Sequence, residues 1–438
     1  MRRVRAFFGG IHPKENKEST NSTPIQVLSA PEVVVVPLLQ HAGREAKPLV
    51  AKGDEVLKGQ PIAEADGRIS ARVHAPVSGK VAAIEPRPSA SGRELTCIVI
   101  ENDGQERWVE RQTHPDPVQL DAQSILERIE EAGIVGMGGA GFPTAPKLTP
   151  PKGVIIDYLL LNGCECEPYL TADHRLMVEY PEEIILGAKL MAKACGARRI
   201  IIGVEDNKPD AIAALREKAG NIEVVALPTR YPQGGEKQLI QALTGREVPS
   251  RGLPFQVGCI VQNVGTAWAV AKAVRDGEPL ISRVVTVTGS AVAEPKNFLV
   301  PVGTGFQAVI EAAGGFSQTP GKVVAGGPMT GGAQFGLDVP VTKVTGGILC
   351  FGVDESKTPD SQPCIKCARC VDVCPANLLP LRLEAYGMNE QWDNAREYGA
   401  LDCIECGCCT YICPSKRPLL HYIRFAKAEI IARERQSS

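Results

Sequence analysis

Aromatic side chains and net charge are both scarce in this chain. Of its 438 residues only 5% are aromatic, and 48 basic side chains nearly balance 50 acidic ones, which leaves a formal net charge of −2. Proteins that bind nucleic-acid phosphates usually carry a basic surplus, and base stacking needs aromatic platforms. The composition therefore argues against nucleic acid as a partner.

Long apolar runs are missing as well. No stretch approaches the roughly 20 apolar residues that cross a bilayer, and the basic start, residues 1–8, lacks the apolar core of a secretory signal. We therefore predict a soluble or peripheral protein in the cytoplasm. The hydrophobic fraction of 44% and the charged fraction of 22% are near globular averages, and the length corresponds to about three domains.

Cysteine is plentiful, and its distribution is uneven. Nine of the 15 cysteines lie between residues 364 and 413, where the spacing C-x2-C-x2-C-x3-C-P occurs twice. This run holds [4Fe–4S] clusters in bacterial ferredoxins, and its fourth cysteine ligates the other cluster in two-cluster proteins. We therefore predict two clusters with crossed ligand sets. The first set is Cys364, Cys367, Cys370 and Cys413, and the second set is Cys403, Cys406, Cys409 and Cys374.

A pair of zinc sites is the alternative interpretation of these cysteines, although zinc usually takes two separated pairs. Cys408 falls outside the spacing and is predicted to be a packed thiol. Iron–sulfur clusters carry single electrons and make no bonds. The chain therefore needs a source or sink of electrons elsewhere, either on itself or on a partner.

The most glycine-dense stretch, residues 136–147, reads GMGGAGFPTAPK. It follows a predicted helix over 121–132 rather than a strand, so it does not fit the Rossmann fingerprint. The bare backbone of such a loop can approach a phosphate or a flat ring with its N–H groups, and Lys147 adds positive charge. The alternative is a flexible linker.

A polar loop follows the buried strand predicted over 154–161, and it contains Asn162, Glu165 and Glu167. Strands and helices alternate from there to residue 227, which predicts an α/β layer. Ligands bind beyond the carboxyl ends of parallel strands. An amide and two carboxylates there suit the polar edge of a flavin or a nicotinamide ribose. A solvated acidic loop is the alternative.

The glycine loop and the polar loop resemble the FMN- and NADH-binding subunit of respiratory complex I, whose motifs read roughly GRGGAGFPTGLK and NADESEPG…DR. The segments YPQGGE at 231–236 and QNVGT at 262–266 are similar to its YICGEE and NNVET. Four positions depart from the motifs, namely Met137, Cys164, Gly235 and Gly265. The resemblance implies these cofactor-binding residues: Gly136, Gly138, Gly139, Ala140, Gly141, Phe142, Lys147, Asn162, Glu165, Glu167, Tyr231, Gly234, Glu236, Asn263 and Thr266.

The resemblance also implies a role for each group of residues. Residues 138–141 would line FMN and its phosphate, while Asn162 and Glu165 would hydrogen-bond the ring or the ribityl chain. The dinucleotide would be oriented by Lys147, Glu167 and Glu236. Asn263 and Thr266 would close the phosphate end. No side chain is implied as a general acid or base.

The order of the segments resembles RnfC, the C-subunit family of the Rnf ion-translocating electron-transport complexes. That family implies a multidomain α/β and β protein: an N-terminal barrel-sandwich hybrid, a Rossmann-like α/β flavin/NADH domain, an SLBB β-grasp domain and a helical two-cluster [4Fe–4S] ferredoxin domain. We predict a mobile tail over 1–22, the barrel-sandwich over 23–104, the flavin domain over 115–270, the SLBB domain over 280–350 and the cluster domain over 355–438. Residues 65–68 replace the carrier lysine of a lipoyl hairpin, so the barrel-sandwich is expected to be a structural or docking module.

The RnfC resemblance implies non-covalent FMN, NAD(H) and two [4Fe–4S] clusters in a subunit of an ion-translocating ferredoxin:NAD⁺ oxidoreductase. Its implied partners are the other Rnf subunits and, through them, ferredoxin, at the cytoplasmic face of the cell membrane. One alternative is a soluble flavin and iron–sulfur corrin reductase, whose barrel-like segment lies at the other end. Another is a non-catalytic iron–sulfur adaptor. The basic, amphipathic C-terminal segment 417–435 would either dock on the membrane or its proteins, or pack on the cluster domain.

Overall fold

A computed structural model describes residues 7–436 of the chain. Its first part is built from short strands that form two small sheets, in the orders β2-β8-β7-β4 and β3-β5-β6. Fully buried aliphatic side chains such as Val34, Ile62 and Ile98 fill the space between them, as expected for a barrel-sandwich. The strands are β1 (Gln26–Val27), β2 (Val33–Pro37), β3 (Lys47–Pro48), β4 (Glu55–Val56), β5 (Pro61–Glu64), β6 (Val73–His74), β7 (Gly79–Pro88) and β8 (Glu94–Asn102).

The central part is an α/β layer with a parallel sheet in the order β11-β10-β9-β12. Asp121 caps its first helix by accepting the N–H of Ser124, and Gly133 turns the chain away with a φ of +61°. The elements are α1 (Ala122–Glu131), α2 (Thr144–Lys147), β9 (Tyr158–Gly163), α3 (Ala172–Glu179), α4 (Pro181–Cys195), β10 (Arg199–Glu205), α5 (Pro209–Lys218), β11 (Glu223–Leu227), α6 (Glu236–Thr244), β12 (Cys259–Asn263) and α7 (Val264–Asp276).

The buried strand predicted over 154–161 is shifted along the chain. It begins at Tyr158, and it continues through Asn162 and Gly163, which pair with Gly203 and Val204 of β10. Asn162 is therefore part of the strand end rather than of the loop beyond it. On the other side, Asn162 is the register partner of Asn263 at the end of β12. This pairing places two amide side chains next to each other at the carboxyl edge of the sheet.

The third part is a mixed sheet in the order β1-β14-β13-β17-β15-β16, so the first strand of the chain completes it. Phe306 and Ile310 on its helix are buried against the sheet. The elements are β13 (Ser282–Thr288), β14 (Lys296–Pro301), α8 (Phe306–Ala312), β15 (Pro320–Ala325), β16 (Gly332–Gln334) and β17 (Gly347–Gly352).

The last part is helical, as the resemblance to the RnfC family implies. Leu383, Trp392 and Ile423 form its core. The final helix buries an apolar side against this core, while its Arg424 and Lys427 pair with Glu405. The helices are α9 (Arg369–Asp372), α10 (Pro380–Met388), α11 (Trp392–Glu397), α12 (Cys408–Ile412) and α13 (Leu419–Gln436).

The C-terminal helix thus packs on the cluster region over Leu419–Gln436, which favours the second of the two interpretations of segment 417–435. Between residues 7 and 436, no helix combines the length and the apolar character needed to cross a membrane.

The prediction of a mobile tail over 1–22 does not hold for the residues between 7 and 20 that are buried in the fold. Phe7 and Ile11 are 2% and 4% exposed. Lys17 is buried because its ammonium group donates to the main-chain oxygens of Glu165 and Leu170, at 2.8 and 2.5 Å. Polar composition does not predict this packing, because the side chain of Lys17 finds its hydrogen-bond partners inside the fold. Residues 1–6 lie outside the described part of the chain.

Candidate functional site

A pocket of about 240 Å³ lies at the carboxyl edge of the parallel sheet. Seven of the predicted cofactor-binding residues line it, namely Gly138, Gly139, Asn162, Glu165, Glu167, Gly234 and Asn263. The β-grasp part closes the opposite wall with Arg283 and the two glycines at 326 and 327. The sequence motifs therefore predict residues on one side of the pocket. The opposite wall comes from the β-grasp part, for which the motifs predict no role in binding.

The glycine loop is fixed at its ends and open in the middle. The amide of Gly136 donates to the oxygen of Phe142 at 2.9 Å, and the amide of Met137 donates to the hydroxyl of Thr266 at 3.0 Å. In the described chain, the amides of Gly138, Gly139 and Ala140 have no protein acceptor, and Gly139 and Ala140 are exposed. Unpaired amides beside a pocket are suitable donors for a phosphate or for ring oxygens.

The loop also leaves room for a flat group. A Cβ atom at Gly138 would lie 2.9 Å from the side chain of Asn263, whereas a Cβ atom at Gly139 would meet nothing within 4 Å. A side chain at the first position would displace Asn263, and one at the second would extend into open space. Free donors and an absent side chain together fit the binding of a flavin mononucleotide here.

Two partly buried carboxylates line the pocket, namely Glu165 and Asp173. Glu165 accepts the amides of Asp173 and His174 at 2.7 and 3.1 Å, so it caps the start of α3. Asp173 accepts the amide group of Asn263 at 2.6 Å. Burial raises the pKa of both carboxyl groups, while Lys17 opposes the shift at Glu165 and Arg283 opposes it at Asp173. The predicted contact of Glu165 with the flavin stays a prediction.

Glu167 connects the polar loop to the β-grasp part. Its carboxylate accepts the amide of Met329 at 3.1 Å and the hydroxyl of Thr330 at 2.5 Å. Burial raises the pKa of this carboxyl group, and the bonds from Thr330 and Met329 counteract the rise. A Cβ atom at Gly327 would overlap the carboxylate. The turn at 326–331 therefore depends on glycine in order to approach Glu167.

Eight other predicted residues lie outside the pocket lining in the described structure. Lys147 and Glu236 form an ion pair of 2.8 Å. Gly141 instead faces the barrel-sandwich, since its oxygen accepts the amide of Ala42. Their predicted contacts with NAD(H) or FMN remain untested. The eight residues are Gly136, Ala140, Gly141, Phe142, Lys147, Tyr231, Glu236 and Thr266.

Two buried cations beside the pocket are not predicted by the sequence motifs. Arg283 is 6% exposed and donates to the main-chain oxygen of Met137 at 2.9 Å. An arginine at the start of a valine-rich strand is the available signal. Lys17 had no such signal, because its partners are main-chain oxygens about 150 residues further along.

The two cysteine runs have the same local backbone. Lys366 and Ala368 in the first run have φ values of +58° and +60°, and Glu405 and Gly407 at the same places in the second have +58° and +80°. In each run the amide two residues after the first cysteine donates to its sulfur at 3.4 Å. Both loops therefore curl around their thiols in the same way, as two equivalent cluster sites require.

The crossed ligand sets stay a prediction, although some cysteines of the two runs influence each other's pKa. Burial raises the pKa of the Cys370 thiol, and the nearby Cys413 and Cys364 raise it further. Burial also raises the pKa of Cys409 to about 12, with added contributions from Cys403, Cys406 and Cys374. In each case at least one of the influencing cysteines belongs to the other run, as the crossed sets predict. Over residues 7–436, no three cysteine, histidine or acidic side chains are grouped closely enough to hold a single metal ion.

The second cysteine set lies beside this pocket. The hydroxyl of Tyr231 donates to the main-chain oxygen of Cys406 at 2.7 Å. Cys166, which lines the pocket, packs in one apolar cluster with Tyr231, Cys408 and Cys406. Cys408 is buried there, as a packed thiol should be. A few side chains therefore separate the pocket from the second set.

Four sequence-family models match successive parts of the chain. Their descriptions are an RnfC barrel sandwich hybrid domain at 5–105, a Nuo51 FMN-binding domain at 129–272, an SLBB domain at 284–332 and a 4Fe-4S dicluster domain at 363–417. The matches confirm the predicted order of folds. The dicluster match also sets aside the zinc alternative.

Relatives extend over the whole chain. It is 48% identical to the C subunit of the Na⁺-translocating ferredoxin:NAD⁺ oxidoreductase complex of Acetobacterium woodii, over 99% of this chain and 98% of the relative. The proton-translocating counterpart in Clostridium ljungdahlii is 47% identical, over 97% and 94%. The chain belongs to the RnfC family. Some RnfC proteins are longer, since this chain spans 56% of a Cronobacter sakazakii relative that is 45% identical.

The RnfC assignment sets aside the corrin reductase alternative, and the FMN-binding match argues against an adaptor without flavin. A solved structure of an NAD⁺-reducing [NiFe]-hydrogenase, in the H₂-reduced state, shares the fold with a TM-score of 0.52. It is 23% identical and covers 72% of this RnfC chain and 64% of its own chain. At that identity the likeness supports the fold alone.

Proposed function

We propose that this protein is the peripheral NAD(H)-oxidoreducing subunit of a membrane-bound ion-translocating ferredoxin:NAD⁺ oxidoreductase complex. The observation that carries the proposal is the contact between the flavin pocket and the second cysteine set, through Tyr231 and Cys166. When bound, FMN can exchange two electrons with a nicotinamide and single electrons with iron–sulfur clusters. The chain supplies the binding, orientation and insulation that this chemistry needs.

The pocket residues are suited to binding rather than to proton transfer. The amides of Gly138 and Gly139 supply donors, and the side chains of Asn162 and Asn263 supply polar edges at adjacent strand ends. The carboxylates of Glu165 and Asp173 are engaged by α3 and by Asn263. This arrangement is compatible with hydride exchange, which requires no general acid or base from the protein.

The two cysteine sets differ in their exposure, and in the described chain only the second set has a member that shares an apolar cluster with Cys166 of the pocket. Cys374 and Cys409 of the second set are buried, whereas Cys364 and Cys367 of the first set are exposed. We infer that the second set holds the cluster nearer to the flavin. The first set would then hold the cluster from which electrons pass to, or arrive from, another subunit.

The proposed partners are the other members of the complex, with ferredoxin reached through them. The named relatives are C subunits of ion-translocating complexes, which supports a location at a membrane. Because NAD(H) and ferredoxin are cytoplasmic molecules, we propose the cytoplasmic face. Nothing in the charge balance favours nucleic acid as a partner.

An absorption spectrum of the purified, anaerobically reconstituted protein tests this function, and titration with NADH follows. We expect flavin bands together with broad iron–sulfur absorbance, and both should bleach on addition of NADH. Iron–sulfur absorbance without flavin bands, and without any response to NADH, would instead support the adaptor.

A further inference from the structure

We propose that residues 7–20, named here the N-terminal strap, hold the cluster region at a fixed position relative to the flavin pocket. The inference rests on the proposed function, because it concerns how one chain keeps two cofactor sites at a fixed separation. The strap contacts both sites, although it contributes no ligand to either. Its role is positioning, and three of its attachments concern these two sites.

The first attachment is to the backbone of the second cysteine set. The amide of Gly10 donates to the main-chain oxygen of Val373 at 2.8 Å. Gly9 lies against the next residue, Cys374, and a Cβ atom at Gly9 would be 2.8 Å from its carbonyl carbon. The contact is therefore too close for any side chain. It fixes the strap to the peptide that carries a predicted cluster ligand.

The second attachment is to Tyr231, which lies between the two sites. Ile11 and Tyr231 exchange two backbone hydrogen bonds, of 2.8 and 2.9 Å. The hydroxyl of Tyr231 donates to Cys406. Just before this bridge, Phe7 is buried under the guanidinium group of Arg230, which also donates to the Phe7 oxygen at 3.1 Å.

The third attachment is to the loop at 165–170, which forms part of the pocket wall. Lys17 donates to the main-chain oxygens of Glu165 and Leu170, so one ammonium group joins both ends of the loop. Between them, the amide of Tyr169 donates to the oxygen of Glu15 at 2.7 Å. A single stretch of chain therefore runs from a cluster-site peptide to the wall of the flavin pocket.

The first test compares two glycine variants with almost the same backbone. Gly9 and Gly92 have φ values of +76° and +77°, but a Cβ atom at Gly92 would meet nothing within 4 Å. Gly9→Ala should therefore add a collision with Cys374 to the backbone strain that both variants share. We expect NADH-driven cluster reduction, followed by stopped-flow absorbance, to slow about tenfold in Gly9→Ala, equivalent to about 1.4 kcal/mol. Gly92→Ala should match the parent protein.

A second pair of variants tests the strap without a collision. Phe7 is 2% exposed and Phe8 is 60% exposed. Phe7→Ala should release the start of the strap and slow cluster reduction in the same direction, whereas Phe8→Ala should leave it unchanged. If Gly9→Ala fails to accumulate as folded protein, this pair carries the comparison.

Hydrogen–deuterium exchange supplies a readout independent of electron flow. Peptides from 165–170 and 363–417 should exchange faster in Gly9→Ala and Phe7→Ala than in their controls, while FMN content and NADH-dependent reduction of a flavin-reactive dye stay within twofold. Unchanged exchange and unchanged cluster reduction in both variants would overturn the proposal. If the parent protein binds no FMN, the proposed function is contradicted instead. The hydrogen–deuterium exchange comparison would still test the positioning role of the strap.

Discussion

The two cysteine runs have the same spacing and the same backbone curl, but they lie in different surroundings. The first run is exposed at Cys364 and Cys367, whereas the second packs against Tyr231, Ile11 of the strap and α13. The local sequence determines the shape of each loop. What packs against each loop comes from distant parts of the chain, and on the proposed function this packing brings the second cluster nearer to the flavin.

The largest effect should come from removing one ligand in each run. Cys406→Ser removes a ligand of the second set and Cys367→Ser removes one of the first, so each variant should lose one cluster. NADH should still reduce the remaining cluster in Cys367→Ser, but it should fail to do so rapidly in Cys406→Ser, because the nearer carrier is missing. Electron paramagnetic resonance after mixing with NADH measures this difference. Loss of FMN from both variants would contradict the separation of the two sites.

The second-largest effect concerns the pH dependence of stability, and it is expected at a buried lysine on the pocket side of the molecule rather than in the cysteine runs. The ammonium group of Lys343 donates to the oxygens of Arg72 and Gly133, where three parts of the fold meet. Burial lowers its pKa from 10.5 to about 7. Below pH 7 both the folded and the unfolded protein are protonated there, and the folded protein bears the full cost of a buried charge. As the pH rises from about 7 to 10.5, the folded protein loses the proton before the unfolded protein does. The contribution of Lys343 to the free energy of unfolding therefore increases with pH over this range.

Lys343→Met should remove this pH dependence, which amounts to at most about 1.4 kcal/mol per pH unit. Thermal unfolding between pH 7 and 9, followed by circular dichroism, measures it. Lys357→Met is the control, because that lysine side chain is 71% exposed. If thermal stability depends on pH equally in Lys343→Met and in the parent protein, the buried lysine is not the cause of that dependence. Iron–sulfur absorbance should be unaffected by either substitution at pH 7.

A smaller effect is expected at the contact between Tyr231 and the second run. Tyr231→Phe removes the hydroxyl group that donates to Cys406, at a cost of about 1 kcal/mol for a buried hydrogen bond. The second cluster should then be lost several-fold faster to an iron chelator. Tyr411→Phe is the matched control, since Tyr411 is 49% exposed. Equal rates of cluster loss in the two variants would show that the hydroxyl group of Tyr231 does not stabilise the second cluster site.

The smallest effect concerns the third position of each run. Glu405 in the second run pairs with Lys427 and Arg424, whereas Lys366 occupies the same place in the exposed first run. Because partly exposed ion pairs contribute about 0–1 kcal/mol, Glu405→Gln should lower the melting temperature slightly and Lys366→Gln should not. Calorimetry compares the two. A larger decrease in melting temperature in Lys366→Gln than in Glu405→Gln would contradict the expected difference between the two runs.

The sequence specifies the cluster sites more completely than it specifies the pocket. Ligand spacing is a local property, so two runs of four cysteines can be interpreted without knowing what surrounds them. The pocket depends on strand ends and on turns from another sheet, and Gly327 and Arg283 join it only after folding. The sequence predicts a tail where the strap lies because many partners of the strap are main-chain atoms, and main-chain atoms leave no signal in the side-chain pattern.

The open edge of the first run has a practical consequence. A cube held by Cys364 and Cys367 would face dioxygen and chelators directly, while its counterpart is sheltered by packed side chains. The isolated protein should therefore bleach in two stages in air, with the outer cube decaying first. A neighbouring subunit seated over that edge would merge the two stages, so the decay curve would report whether assembly has taken place.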